Sequence, residues 1–200
     1  MAVESMAGRA NQKLRTRNAI VAAAAELSRT GREVTMSEIV KAALVSEATA
    51  YRYFPDLASL LQEAIAEQLP AADEALEALA GSADPVERIA AATEFLLRRV
   101  LSRQGVVRAL IAATITRPGQ PQARPGLRFG LIDNALAPLN DGPGSIDPAA
   151  LARLKRDLAV VVSAEALFSL TDACGLAPDE AVASIVRTAT TLTRAALRET

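Results

Sequence analysis

The stretch from Thr35 to Phe54, TMSEIVKAALVSEATAYRYF, constrains this chain more than any other. Thr35 followed three residues later by Glu38 is a capping-box signature, and it opens a short helix over Thr35 to Ala43 with Ile39 and Ala42 or Ala43 facing inward. Ser46 opens a second short helix, to Tyr53, which crowds Thr49, Tyr51, Arg52 and Tyr53 onto about two turns. Only Leu44 and Val45 join them. Neither helix is long enough to be a core element by itself. Two short helices with a tight joint, the second rich in hydrogen-bond donors, match a helix-turn-helix with its reading helix.

The remainder reads as helix throughout. Alanine, leucine, glutamate and arginine dominate, and no segment shows sustained alternation of β-branched residues. A first helix is expected from Gln12 to Arg29, with Ile20, Ala23, Ala24 and Leu27 on one face and Gly31 as its stop; residues 1–10 are small and polar and are expected to lie outside it. Asp56 caps a fourth helix with the stripe Leu57, Leu60, Leu61, Ala64, Ile65, Leu69. Ala71 to Ala80 is a further helical piece. Asp84-Pro85 with Glu87 opens a helix to about Arg103, and Gln104 to Ile115 forms another. Pro118 to Pro125 is a loop, Gly126 to Leu139 a helix, and Asn140 to Ile146 a loop. Asp147-Pro148 opens one long helix reaching Cys174, stopped by Gly175, and Pro178 opens the last, to about Arg198. The expected fold is all-α: an N-terminal three-helix helix-turn-helix head plus a larger C-terminal helical bundle, about nine helices in total. The compositional break at Pro55 divides it into residues 1–55 and 56–200.

Charge supports the division. The whole chain carries −1. Residues 1–54 hold eight basic and five acidic side chains, and the rest 14 and 18, so a basic head is joined to an acidic body. There is no histidine, which removes Ser-His-Asp and Cys-His catalysis and nearly all zinc sites. Cys174 is the single cysteine, so no intrachain disulfide can form, and a reducing, cytoplasmic setting is expected. No apolar run approaches the roughly 20 residues of a membrane span. No metal, cofactor or membrane partner is expected.

The chemistry of the head follows from its donors. In the major groove Arg52 can pair with guanine or hold a phosphate. Thr49 can donate to a base edge or set its methyl against that of thymine. Tyr51 and Tyr53 carry hydroxyls on rigid rings suited to phosphate. Ser46, Thr35 and Ser37 stand at helix starts, where backbone N–H groups face an anion. Lys13, Arg15 and Arg17 can supply sequence-blind attraction. Each has a plainer reading: Thr35 and Ser46 are caps in any case, one tyrosine can belong to the core, and the three basic residues can be a solvated helix start.

Thr35-x-x-Glu38-Ile39, then Ala42 through Phe54, then Leu60-Leu61, resemble the tetracycline-repressor (TetR) family of bacterial regulators over about residues 12 to 65. Leu44 stands where members usually have glycine, which the turn accommodates if the side chain packs inward. Glu47 replaces a frequent lysine or arginine, and Leu57 a frequent lysine. The resemblance implies a double-stranded DNA operator as partner, with the residues above and Glu47 at the interface. It implies a homodimer on a palindrome, and a small-molecule effector that releases the DNA, hence most simply a repressor.

It also assigns the last two helices of each subunit to the dimer interface. The residues concerned are Val160, Ala164, Leu167, Thr171, Val182, Ile185, Ala189, Leu192 and Ala196, although the same residues can equally form intrachain core. Glu165, in VVVSAEALFSL, is costly to bury alone. It can pair with an arginine such as Arg98 or Arg99, line a pocket or face solvent, and Asp172 shares the ambiguity. Phe95, Leu96, Leu110, Ile111, Phe129 and Phe168 complete the pocket candidates, with core the competing reading.

Two other classes remain open at this level. An all-helical enzyme would have to work with carboxylates, lysine, tyrosine or Cys174, and no paired-carboxylate spacing stands out. A helical dimeric interaction protein would need no DNA at all.

Overall fold

The computed structural model describes residues 2–66, 77, 82–116, 127–140 and 144–198, with side chains of the first helix from residue 10 onward. The expected helical piece Ala71–Ala80 and the loop Pro118–Pro125 lie outside the described residues, apart from Glu77. Among the described residues the fold is all-helical, and no helix is long and apolar enough to cross a membrane. By packing, the chain forms two units: Met1–Leu69 with Ser102–Arg124, and Pro70–Leu101 with Pro125–Thr200.

In the first unit, α1 spans Ala2–Ser28. It begins ten residues before the expected start. Ala, Glu, Met and Arg in that lead are good helix formers, and a helix already nucleated propagates through them. Its buried face is Ile20, Val21 and Ala24. Gly31, at φ +71°, ends the turn that follows it. Helix α2 is Met36–Ala42, α3 is Glu47–Tyr53 and α4 is Leu57–Ala66. Asp56 accepts from the Ser59 N–H and hydroxyl, both at 2.8 Å, at the start of α4.

The core of this unit joins Ile20, Ala24, Ile39, Ala50, Phe54, Leu60, Leu61, Ala64 and Val106. Val106 comes from a later helix, Gln104–Thr116. The division by packing therefore runs differently from the break at Pro55, because α4 and that later helix bury their apolar faces against the head.

The joint between α2 and α3 departs from expectation. Leu44 sits at φ 56° with its side chain 92% exposed, so it points outward and does not pack inward. The Val45 N–H donates to Val40 O at 3.0 Å and the Leu44 N–H to Lys41 O at 3.3 Å. That pair of bonds is the Schellman ending of a helix, with leucine in the left-handed position that favours glycine. The two bonds satisfy carbonyls that the end of α2 would otherwise leave open.

The second unit holds α5, Pro85–Ser102, as far as Leu101; Asp84 caps it, accepting from the Val86 N–H at 2.8 Å. The Gln104–Thr116 helix, packed in the first unit, is α6. Then follow α7, Leu127–Ala135, with a short 3-10 turn Ala137–Leu139, and α8, Pro148–Val161, capped by Asp147. The single helix expected from Asp147 to Cys174 is broken. Val162 and Ser163 leave the helical region, and Ser163 Oγ accepts from the Ala166 N–H at 3.1 Å while donating to Val160 O at 2.9 Å. Three consecutive valines weaken the helix, and the serine offers the next segment a cap, so breaking becomes cheap. Helix α9, Ala164–Phe168, runs into a π-turn, Ser169–Ala173, and Gly175 at φ +70° closes it. Helix α10, Pro178–Arg198, lays Val182, Ile185 and Ala189 against α8 and α9.

Arg88 is buried on α5. Its guanidinium donates to Asn134 O at 2.9 Å, to Asn134 Oδ1 at 2.8 Å and to Ala135 O at 3.2 Å. A cation there answers the open carbonyls at the C-terminus of α7.

Leu44→Gly should raise stability by about 0.5–1 kcal/mol. The left-handed penalty of a Cβ is on the order of 1–2 kcal/mol, and the extra chain entropy of glycine offsets part of it. Urea unfolding of the two proteins measures the difference, and no packing is lost because the side chain is in solvent.

Candidate nucleic-acid interface

The head presents α3 outward because its inward side is small. Ala50 is fully buried, Phe54 is 3% exposed just beyond the helix, and Tyr53 packs half-buried against the core. What remains on the outer side is Glu47, Ala48, Tyr51 and Arg52. Tyr51 is half exposed, and the Arg52 guanidinium lies 5.5 Å from the Tyr53 ring centroid. Ser46 caps the helix by accepting from the Thr49 N–H at 3.2 Å, and the two hydroxyls are 2.9 Å apart. The structure thus gathers Ser46, Glu47, Thr49, Tyr51 and Arg52 on one short helix. Tyr53 is the tyrosine that turns toward the core.

The start of α2 is built reciprocally. The Glu38 N–H donates to Thr35 Oγ1 at 3.3 Å, and the Thr35 N–H and hydroxyl both donate to Glu38 Oε2 at 3.0 Å. Arg32 adds an ion pair to Glu38 Oε1 at 2.5 Å. The Arg32 guanidinium first, then the Thr35 N–H and hydroxyl, hold the Glu38 carboxyl at about 2, below its ordinary 4.5. Thr35 is exposed and Ser37 half-buried beside it. The capping box is visible in the sequence spacing; the arginine that completes it is not.

The basic residues of α1 part company. Lys13 and Arg15 are exposed. Arg17 instead makes a two-pronged pair with Glu63 of α4, both N–O distances 2.5 Å, and lies 5.1 Å from the Phe54 ring centroid. Its charge holds α1 to α4. No local signal marks that role, since Glu63 is 46 residues away.

The pocket candidates are not gathered in this way. Leu110 packs on the core of the first unit, and Ile111 follows it on α6. In the second unit Leu96 and Phe168 are buried, Phe95 is half-buried, and Phe129 is 52% exposed beneath Arg128, whose guanidinium lies 4.8 Å from the ring centroid. Glu165 lies 3.7 Å from Arg128, an arginine outside the expected pair. Arg98 is taken by Asp179 and Glu94. Asp172 is exposed and accepts from the Thr171 hydroxyl at 2.9 Å.

A groove of about 470 Å³ between α8 and α10 is lined by Asp147, Arg153, Leu154, Asp157, Leu192 and Ala196 among others, and by none of the pocket candidates. Of the dimer candidates, Leu167, Val182, Ile185 and Ala189 are buried in the chain's own core. Val160 is 74% exposed, and Ala164, Thr171, Leu192 and Ala196 are half-buried.

Two short capped helices braced by α1 and α4, with a polar, partly basic outer face on the second, define a helix-turn-helix DNA-binding protein. Residues 19–64 match the family model described as bacterial regulatory proteins, tetR family. Among solved structures, the chain is similar to a TetR transcriptional regulator from Rhodococcus sp. RHA1, at 25% identity and a TM-score of 0.54, over 90% of this chain and 96% of that one. No curated protein matches it. The head of the chain, residues 19–64, is thus similar to the DNA-binding part of TetR-family regulators, and the fold as a whole is similar to that of one such regulator.

Glu38 yields a pH dependence of defined sign. Its folded value is lowered, so its contribution to stability is complete above pH 4.5 and is lost as the pH falls through about 2. Wild-type protein should melt above Glu38→Gln at pH 6, and the gap should close between pH 4.5 and 2. A gap that stays constant over that range would contradict the assignment.

Proposed function

We propose that the protein is a ligand-responsive repressor. It acts as a homodimer on a palindromic operator, with residues 1–55 as the DNA-binding part and residues 56–200 as the ligand-binding and dimerisation part. The observation that carries the DNA half is the outer face of α3, where Tyr51 and Arg52 stand exposed on a helix whose other side is anchored by Ala50 and Phe54. Arg52 is the candidate for a bidentate base contact or a phosphate. Tyr51, with Thr49 and Ser46 behind it, is the candidate for positioning on the backbone. Lys13 and Arg15 add sequence-blind attraction, and Glu47 opposes it locally.

Regulation in this reading is a population shift. Two reading helices must match successive major grooves, roughly 34–36 Å apart. An effector releases DNA only to the extent that it prefers the dimer whose heads do not match that spacing. Phe95, Leu96, Phe129, Glu165, Phe168 and Asp172, all in the second unit, are the proposed effector contacts. Val160, Ala164, Thr171, Leu192 and Ala196 keep exposed surface with which a second copy could be met. The activity is binding and not catalysis.

A gel shift with DNA from upstream of the protein's own gene tests the first step. Retention should appear at low salt and tighten on a palindromic fragment, and failure to retain any fragment at low salt would sink the reading. Tyr51→Ala and Arg52→Ala should each weaken retention by about 1–3 kcal/mol with the oligomer intact on a sizing column. Loss of the oligomer together with DNA binding would place these side chains in the fold instead of the interface.

A further inference from the structure

We propose that Gly105, in the first turn of α6, is a positioning residue for DNA reading. It pins the loop between α1 and α2, and Arg32 passes that constraint to the capping box of α2. The inference rests on the reading of the head as the DNA-binding part.

The contact is backbone on backbone. The Gly105 N–H donates to Gly31 O at 3.1 Å. A Cβ added at 105 would lie 2.2 Å from Arg32 O and 2.6 Å from Glu33 N, distances no side chain tolerates. Gly31 is the matching half: it sits at φ +71°, and a Cβ there would be 3.3 Å from Ser102 O. Gly105 thus lets two main chains touch where a side chain would separate them, and Gly31 supplies the left-handed backbone on the other side.

From this point each step to α2 is a direct contact. Gly105 fixes the backbone of Arg32. The Arg32 guanidinium pairs with Glu38 Oε1, and Glu38 Oε2 accepts from the N–H and hydroxyl of Thr35, the cap of α2. Val106, the next residue of α6, is 1% exposed within the same core as Ile39 and Ala50. A side chain can change rotamer to absorb a displacement, but two backbones in contact cannot. The orientation of α2, and of α3 joined to it by a two-bond turn, is therefore tied to the first turn of α6.

The test uses full-length protein, the DNA fragment retained in the gel shift and a random-sequence competitor. Gly105→Ala should keep its helical circular dichroism and cooperative melt but bind the specific fragment roughly tenfold more weakly. The loss should fall on the specific fragment, while the competitor, held by sequence-blind attraction, changes little. Gly144→Ala, where an added Cβ meets nothing within 4 Å, should bind as wild type does.

Glu38→Gln separates positioning from charge. Glutamine at that place still caps the helix, and removing a negative charge from the head favours DNA by electrostatics alone. The relay predicts the opposite sign, a loss of about threefold or more on the specific fragment. Gly105→Ala that folds and binds as wild type overturns the proposal, as does Glu38→Gln that binds equally or more tightly. If Gly105→Ala does not fold, Glu38→Gln decides alone. A wild-type protein that retains no DNA brings down the reading and this inference together, through the wild type and not the variants, so the two failures are distinguishable.

Discussion

The apolar contact of α1 with α4 is what the head depends on. Helices α2 and α3 have seven residues each, and isolated helices shorter than about 12–15 residues are marginal in water. Their caps satisfy the ends but cannot supply the missing stability. That comes from Ile39 and Ala50, both without solvent access, set into a floor made by Ile20, Ala24, Leu60 and Leu61. Arg17, Glu63 and Phe54 close the edge of the same floor. The outer face of α3 can be polar because the anchoring of the helix falls to Ala50 and Phe54 on its other side.

What was legible in the sequence was local chemistry. Thr35 with Glu38, Ser46, Asp84 and Asp147 are caps read from one or two turns of chain, and each is found in its place. The two-helix motif and the all-α fold followed from them. What was not legible depends on partners distant along the chain or on energies that nearly cancel. Arg17 looks like an interface cation until Glu63 is placed beside it. Leu110 looks like a body residue until α6 is seen to pack with the head. Arg88 carries no sequence mark of burial, since the Asn134 and Ala135 oxygens that accept from it are 46 and 47 residues away.

Leu44 and Ser163 show the near-cancelling kind. A leucine in a turn was expected to bury itself, yet the hydrogen bonds that end α2 hold its backbone left-handed and leave the side chain in solvent. A long helix was expected through Val160–Val162, where periodicity is unbroken. The cost of three β-branched residues and the gain from one serine cap outweigh it, and no pattern of apolar spacing reports that balance.

The ion pairs of the head also determine how the protein meets DNA that is not its target. Arg17, Arg29 and Arg32 are engaged by Glu63, Glu26 and Glu38, so three arginines of the head are held within the fold, while the two pairs inside residues 1–54 leave its basic excess unchanged. Attraction to arbitrary sequence then falls to cations outside these pairs, such as the exposed Lys13 and Arg15, because it scales with the phosphates they neutralise. Non-specific and specific contact are thereby divided between different parts of the head, the first on α1 and the second on α3. Salt should therefore act mainly through α1, and change of sequence mainly through α3.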